Sequence, residues 1–176
     1  MKFKEYQKEC LVTAVYNPEK LKITYPILGL LDEMIELREK LEDICSNNMQ
    51  RRLKYNLDDI AYECGDCTWY TVVSMYDLGI ELTETDIELF DKDVRPVMLV
   101  AGKIAGRWKK VLRDYNGVLA DEKRSEFKLL FVELLAGFAR LFENLGLTFE
   151  KVTDMNIAKL KDRRARGVVR GEGDKR

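Results

Sequence analysis

The 176-residue chain contains no histidine. That removes the commonest metal-binding side chain, so no mixed cysteine–histidine site can form. Proline is scarce, with three residues at 18, 26 and 96, and long stretches run free of a helix breaker. No apolar run approaches the roughly 18 residues that span a bilayer. The polar opening MKFKEYQKE lacks the apolar core of a signal peptide. Four cysteines form no dense framework, which fits a reducing compartment. Charged residues make up 35% of the chain, yet the net charge is only -1, and that balance argues against a dedicated nucleic-acid binder. These absences lead to the expectation of a cytoplasmic protein with no membrane segment.

What remains is helical pattern. Apolar residues recur at helical spacing and strand-like alternation is rare, so the fold class is all-α. The pattern predicts helices over 3–15, from Pro26 to Ser46-Asn47-Asn48, over 57–78 with Gly79 as stop, and a short one capped by Thr83 or Thr85 and ending near Asp91. Further helices run from Pro96 to Asn116-Gly117, over 122–145 and over 149–165. A shift of 67 residues lays Leu78-Gly79 on Leu145-Gly146 and Lys92 on Lys159, which suggests a tandem pseudo-repeat packed as a helical bundle. The division that follows is 1–92, 93–166 and a basic tail over 167–176. The tail is read as flexible, and a solvated end and a nucleic-acid contact are its two readings from the residues alone.

Two acid pairs stand out. Glu33 and Glu36 lie three apart in the second helix, and Glu63 and Asp66 lie three apart in the third. Residues at this spacing share a helix face. If the two helices pack antiparallel, four carboxylates face one another, and their repulsion and lost hydration call for a cation. Oxygen-only ligation favours Mg2+ or Mn2+ over zinc. Each pair alone is a common solvated face.

Other features have a plainer reading beside the chemical one. Cys64 and Cys67 are spaced like a zinc or redox pair, with Cys10 and Cys45 as further zinc ligands, but cysteine inside an apolar helix is usually core. Gly102-Lys103 in VAGKIAG fails the phosphate-loop pattern, so Gly102 and Gly106 are read as helix-packing glycines. Trp69 and Tyr70 could stack on a base. For Trp69 core packing is the favoured reading, and Trp108 is assigned to core or interface.

Taken together, these residues resemble the MazG-type all-alpha nucleotide pyrophosphohydrolases. That family carries an E-x-x-E helix followed by an E-x-x-D helix, as Glu33/Glu36 and Glu63/Asp66 do here. ECGDCTWY is similar to the family's E-L-G-D-x-x-W-Y. Leu28-Gly29-Leu30 precedes the first acids, and Tyr6-Gln7 with Thr13-Ala14 looks like the family's first helix. NIAKLKDRRARGVVRGEGDKR looks like its closing segment, although about 70 residues intervene. Those residues resemble a second acid module that has lost its acids, with Val100, Lys103, Leu130 and Glu133 at the matching positions. This is similar to the fused organisation of the related dimeric dUTPases. The resemblance implies Mg2+-dependent hydrolysis of a nucleoside triphosphate to a monophosphate and pyrophosphate. It implies Glu33, Glu36, Glu63 and Asp66 as ligands and Glu33 or Glu36 as the group that activates water. Asn156, Lys159 and Arg163 would reach the nucleotide or its phosphates, beside Trp69 where it stacks on the base, and the basic tail would be a flap that closes over the nucleotide. The duplication implies an intrachain pseudo-dimer or a homo-oligomer. A non-catalytic scaffold derived from such an enzyme is the alternative.

Overall fold

The computed structural model describes residues 1–16, 21–83, 86 and 95–168. Among them are seven helices and no strand: α1 Phe3–Thr13, α2 Thr24–Ile44, α3 Met49–Arg52, α4 Leu57–Asp77, α5 Val97–Tyr115, α6 Asp121–Asn144 and α7 Phe149–Ala165. No helix of the described residues is long and apolar enough to cross a membrane.

Local chemistry accounts for the ends. Asn56 caps α4, its side chain accepting from the Asp58 and Asp59 amides while Asp59 accepts from the Asn56 amide at 2.8 Å. Gly79 closes the same helix in the left-handed region at φ 66°, where a side chain would be strained. Helix α2 begins at Thr24, two residues before Pro26. Its cap, Ile23, has φ 65°, a costly conformation for a β-branched residue. Buried Asp77 fixes this corner by accepting from the Ile23 amide at 2.8 Å and from the Tyr16 hydroxyl at 2.7 Å. Helix α3 was not foreseen, because four residues are too few to show a period. It is capped by Asn48. For the helix expected after Thr83, the first turn shows reciprocal Thr83–Asp86 hydrogen bonds. Its remainder, and the tail from 169, lie outside the described residues.

Helices α2 and α4 form the central pair. Ile23, Gly29 and Lys40 meet Asp77, Tyr70 and Glu63 in turn, so the two run antiparallel. Their contact buries Ile27, Leu30, Met34 and Leu37 against Ile60, Cys64 and Cys67. Each such apolar side chain contributes about 1.5–3 kcal/mol when fully buried. Helices α5 and α6 form a second antiparallel pair, tied by Arg95–Glu133 and Arg107–Glu126 ion pairs. They close the core with Val100, Ile104, Trp108, Phe131 and Phe138. The Trp108 indole donates to Thr24 at 2.9 Å. A smaller cluster of Tyr6, Cys10, Trp69, Val72, Val73 and Ile157 joins α1, α4 and α7.

Two glycines set the spacing at α4. A Cβ on Gly29 would stand 2.2 Å from the Tyr70 ring, and one on Gly65 would stand 2.7 Å from the Cβ of Asn156. Gly102 and Gly106 are a correction to the sequence reading: a Cβ there would meet nothing within 4 Å, so no packing among the described residues requires them. The two kinds of glycine should respond oppositely. Gly102→Ala should raise unfolding stability by about 0.5–1 kcal/mol, the usual gain in helix propensity. Gly65→Ala should lower it, since overpacking costs about 1–3 kcal/mol against that gain. Denaturant midpoints of the two variants check the sign.

Candidate carboxylate site

The antiparallel register brings three of the four predicted ligands together. Glu33 and Glu36 on α2 and Glu63 on α4 each offer an oxygen, all within 4.8 Å of one another. The trio runs from core to solvent, with Glu63 1% exposed, Glu33 half-buried and Glu36 on the surface. Asp66, one turn beyond Glu63, is held toward α7. Asn156 donates to its Oδ1 at 2.7 Å, and Lys159 pairs with its Oδ2. Lys40 pairs with Glu63 across the α2–α4 interface.

Like charges so close have a visible cost. Burial pushes the Glu33 carboxyl up to about 9, and the charges of Asp66, Glu63 and Glu36 act in the same direction. The donor set suits a hard divalent cation: it is oxygen-only, its ligand atoms converge, and its excess negative charge would be offset by one. Glu33, Glu36 and Glu63 are the residues that could hold it, with Asp66 beside them.

A small cleft of about 110 Å3 opens beside Glu33 and Asp66. Tyr25, Trp69 and Tyr70 give it an aromatic side, and Arg163 a basic one. Tyr25 lies 6.1 Å from the Tyr70 ring and stacks on Tyr16 at 5.0 Å. Trp69 reaches this cleft, but most of it is core, as the sequence favoured: it is 8% exposed, and its indole donates to Thr13 at 2.9 Å. Asn156 and Lys159 stand at Asp66, and Arg163 is buried at the cleft wall.

The cysteines fall where the plainer reading put them. Cys64 and Cys67 are fully buried in the main core and Cys10 in the smaller one, while Cys45 is exposed at the end of α2. Burial pushes the Cys64 thiol up to about 12 and Cys67 well above its ordinary value. Both pack as small apolar side chains against the main core. In the second helical pair, Val100 and Leu130 are core, Lys103 is exposed and Glu133 is engaged by Arg95, so no acid site forms at those four positions.

Sequence reasoning missed Lys40, Tyr25 and the connecting role of Tyr6. Lys40 carried a signal, four residues after Glu36 and so one turn along the same helix. Tyr25 carried none, and Tyr6, although Tyr6-Gln7 entered the resemblance, gave no sign of its partners, because their meeting with the site is tertiary.

Fold and site define an all-helical protein with a carboxylate cluster between two antiparallel helices. No family model matches the chain, and no solved structure matches it. The chain is 38% identical over 76 residues to the Gene 37 protein of Mycobacterium phage L5, a match covering 43% of this chain and 67% of the phage protein. The chain belongs to the family of that phage protein.

The Glu33 carboxyl sets the sign of a pH effect. Its ordinary value is 4.5, so between there and about 9 the folded chain keeps a proton that the unfolded chain has released. This contribution is full below the lower value and is lost as pH rises through the upper one. The metal-free protein should therefore melt at lower temperature as pH rises across that window. Millimolar Mg2+ should raise the melting temperature more at about pH 8.5 than at about pH 5.5. Circular-dichroism melts with and without Mg2+ check both statements.

Proposed function

We propose that the chain is a divalent-metal-dependent nucleoside triphosphate pyrophosphohydrolase, converting a ribo- or deoxyribonucleoside triphosphate to its monophosphate and pyrophosphate. The observation that carries this reading is the convergence of Glu33, Glu36 and Glu63 within 4.8 Å beside a cleft with aromatic and basic walls. The resemblance to the MazG-type enzymes supplies the reaction. Glu33, Glu36 and Glu63, with Asp66 beside them, would hold Mg2+ or Mn2+, which would supply charge stabilisation and a more acidic water for the reaction.

The chain's own residues do the rest. Glu36, or Glu33 in its ionised form, accepts the proton of the attacking water. The water oxygen bonds to the α-phosphorus, the bond to the bridging oxygen breaks, and pyrophosphate leaves with the electron pair. Lys159 and Arg163 face the phosphates, lysine as a point charge and arginine as a planar fork. Tyr25, Tyr70 and the edge of Trp69 give the base an apolar wall. In this reading α5 and α6 are the degenerate second module of a tandem repeat. They supply core in place of acids, so that one chain forms a pseudo-dimer. The free thiols fit a cytoplasmic setting.

One observation favours a second reading, a non-catalytic scaffold descended from such an enzyme. Lys40 and Lys159 already pair with Glu63 and Asp66, so the fold can balance two of its four acids without an ion.

Incubation with a panel of nucleoside triphosphates and Mg2+, reading pyrophosphate, tests the activity. Glu36→Gln and Asp66→Asn should each lower turnover by about 100-fold or more with helical content retained. Full activity in either variant would sink the site assignment. Calorimetry with Mg2+ and a nonhydrolysable nucleotide separates the readings, and silence at about millimolar Mg2+ selects the scaffold.

A further inference from the structure

We infer that Tyr6 is a positioning residue for the carboxylate cluster, acting through Asn156 on Asp66; the inference rests on that cluster being the reaction centre proposed above. Tyr6, on α1, is wholly buried, and its hydroxyl donates to Oδ1 of Asn156 at 2.8 Å with the Gly65 carbonyl at 3.3 Å. Asn156, on α7, is equally buried and donates from Nδ2 to Oδ1 of Asp66 at 2.7 Å. Three helices therefore meet in one line of hydrogen bonds, between residues 150 positions apart in the chain.

An asparagine amide has one accepting end and one donating end. Reversed, its carbonyl oxygen would face the Asp66 carboxylate, acceptor against acceptor. The Tyr6 hydroxyl holds the amide against that reversal, because it gives Oδ1 a donor on the side away from Asp66. Burial raises the Tyr6 phenol well above its ordinary value, so it stays a donor over the working pH range. The glycine before Asp66 makes the line short: a Cβ on Gly65 would overlap the Cβ of Asn156.

The two partners of Asp66 differ in kind. Lys159 is a cation that a divalent ion or a phosphate competes with directly. The Asn156 amide is neutral and buried, and it competes with neither. When Lys159 turns to phosphate, the Tyr6–Asn156 pair is what keeps the Asp66 carboxylate fixed in place beside the cluster. The first helix thereby acts on the chemistry without touching a reacting atom.

A double-mutant cycle in the full chain tests this. Tyr6→Phe and Asn156→Ala should each weaken Mg2+ binding by calorimetry, and lower kcat, by about tenfold, with KM changed less than about twofold. The double variant should lose no more than Asn156→Ala alone, because Tyr6 has no route to Asp66 once the amide is gone. Multiplying losses, or an unchanged Tyr6→Phe, overturn the inference, since a merely structural tyrosine would add its effect independently. Where a variant loses its helical signal, 3,5-difluorotyrosine at position 6 keeps the ring and alters the donor. It must then shift Mg2+ affinity, and no shift is equally fatal. Wild-type chain that binds Mg2+ without releasing pyrophosphate rejects the activity alone, and the affinity cycle still decides the role of Tyr6. Wild-type chain that binds no Mg2+ overturns both.

Discussion

The register between α2 and α4 is the constraint on which the rest depends. It sets Glu33 and Glu36 opposite Glu63 and Asp66, and it does so at the edge of a core. Two like charges about 5 Å apart repel by roughly 3 kcal/mol even at an effective dielectric near 20. The apolar contact between the same helices outweighs this, since Leu30, Met34, Leu37 and Ile60 bury on that interface. The fold further reduces the repulsion in three local ways: Lys40 on Glu63, Lys159 on Asp66, and a proton retained by Glu33. Each is a monovalent answer to a charge that one divalent ion could meet alone. That is the physical sense in which the cluster is suited to a metal.

Helix α4 carries the site because nearly all its faces are covered. Two of its threonine hydroxyls bond back to their own helix, Thr68 donating to the Cys64 carbonyl and Thr71 to that of Cys67. This lets polar residues sit in a buried helix without outside partners. Its cysteines enter the core, and its acids, one position earlier in each case, face α2 and α7. A hundred degrees of helical rotation separates the two functions of ECGD. Gly65 between them is a third contribution, since its missing side chain is the space into which Asn156 fits.

Much of this was legible in the sequence. Helix stops at Gly79, Asn116-Gly117 and Gly146 follow from left-handed backbone, and all are observed. The acid pairs were legible because i, i+3 spacing fixes a face, and the antiparallel condition attached to them is met. The role of Asp66 was only half legible. Spacing gave it a face in common with Glu63, whereas its partners, Asn156 and Lys159, come from a helix ninety residues away. Rejecting the phosphate-loop pattern left Gly102 and Gly106 read as packing glycines, because small residues in a helix look the same in sequence whether another helix packs against them or not. Ile23 illustrates the remaining gap. Nothing in its type announces a positive φ, and the cause lies in Asp77, 54 positions on.

The second helical pair shows what an antiparallel hairpin does when its carboxylates do not gather in a cluster. Val100 and Leu130 are buried in the common core, and Glu133 and Glu126 each pair with an arginine across the two helices. Packing there is apolar, with each of these carboxylates matched by its own counter-charge. The first pair keeps acids where apolar residues would pack without repulsion, and it surrounds them with lysines, an amide and a buried tyrosine. Stability alone does not select that arrangement, because buried charge is at best neutral against a well-packed hydrophobic substitute. Two antiparallel pairs in one chain, one with a carboxylate cluster between its helices and one whose bridging carboxylates are matched by arginines, show that a hairpin in this fold packs without such a cluster.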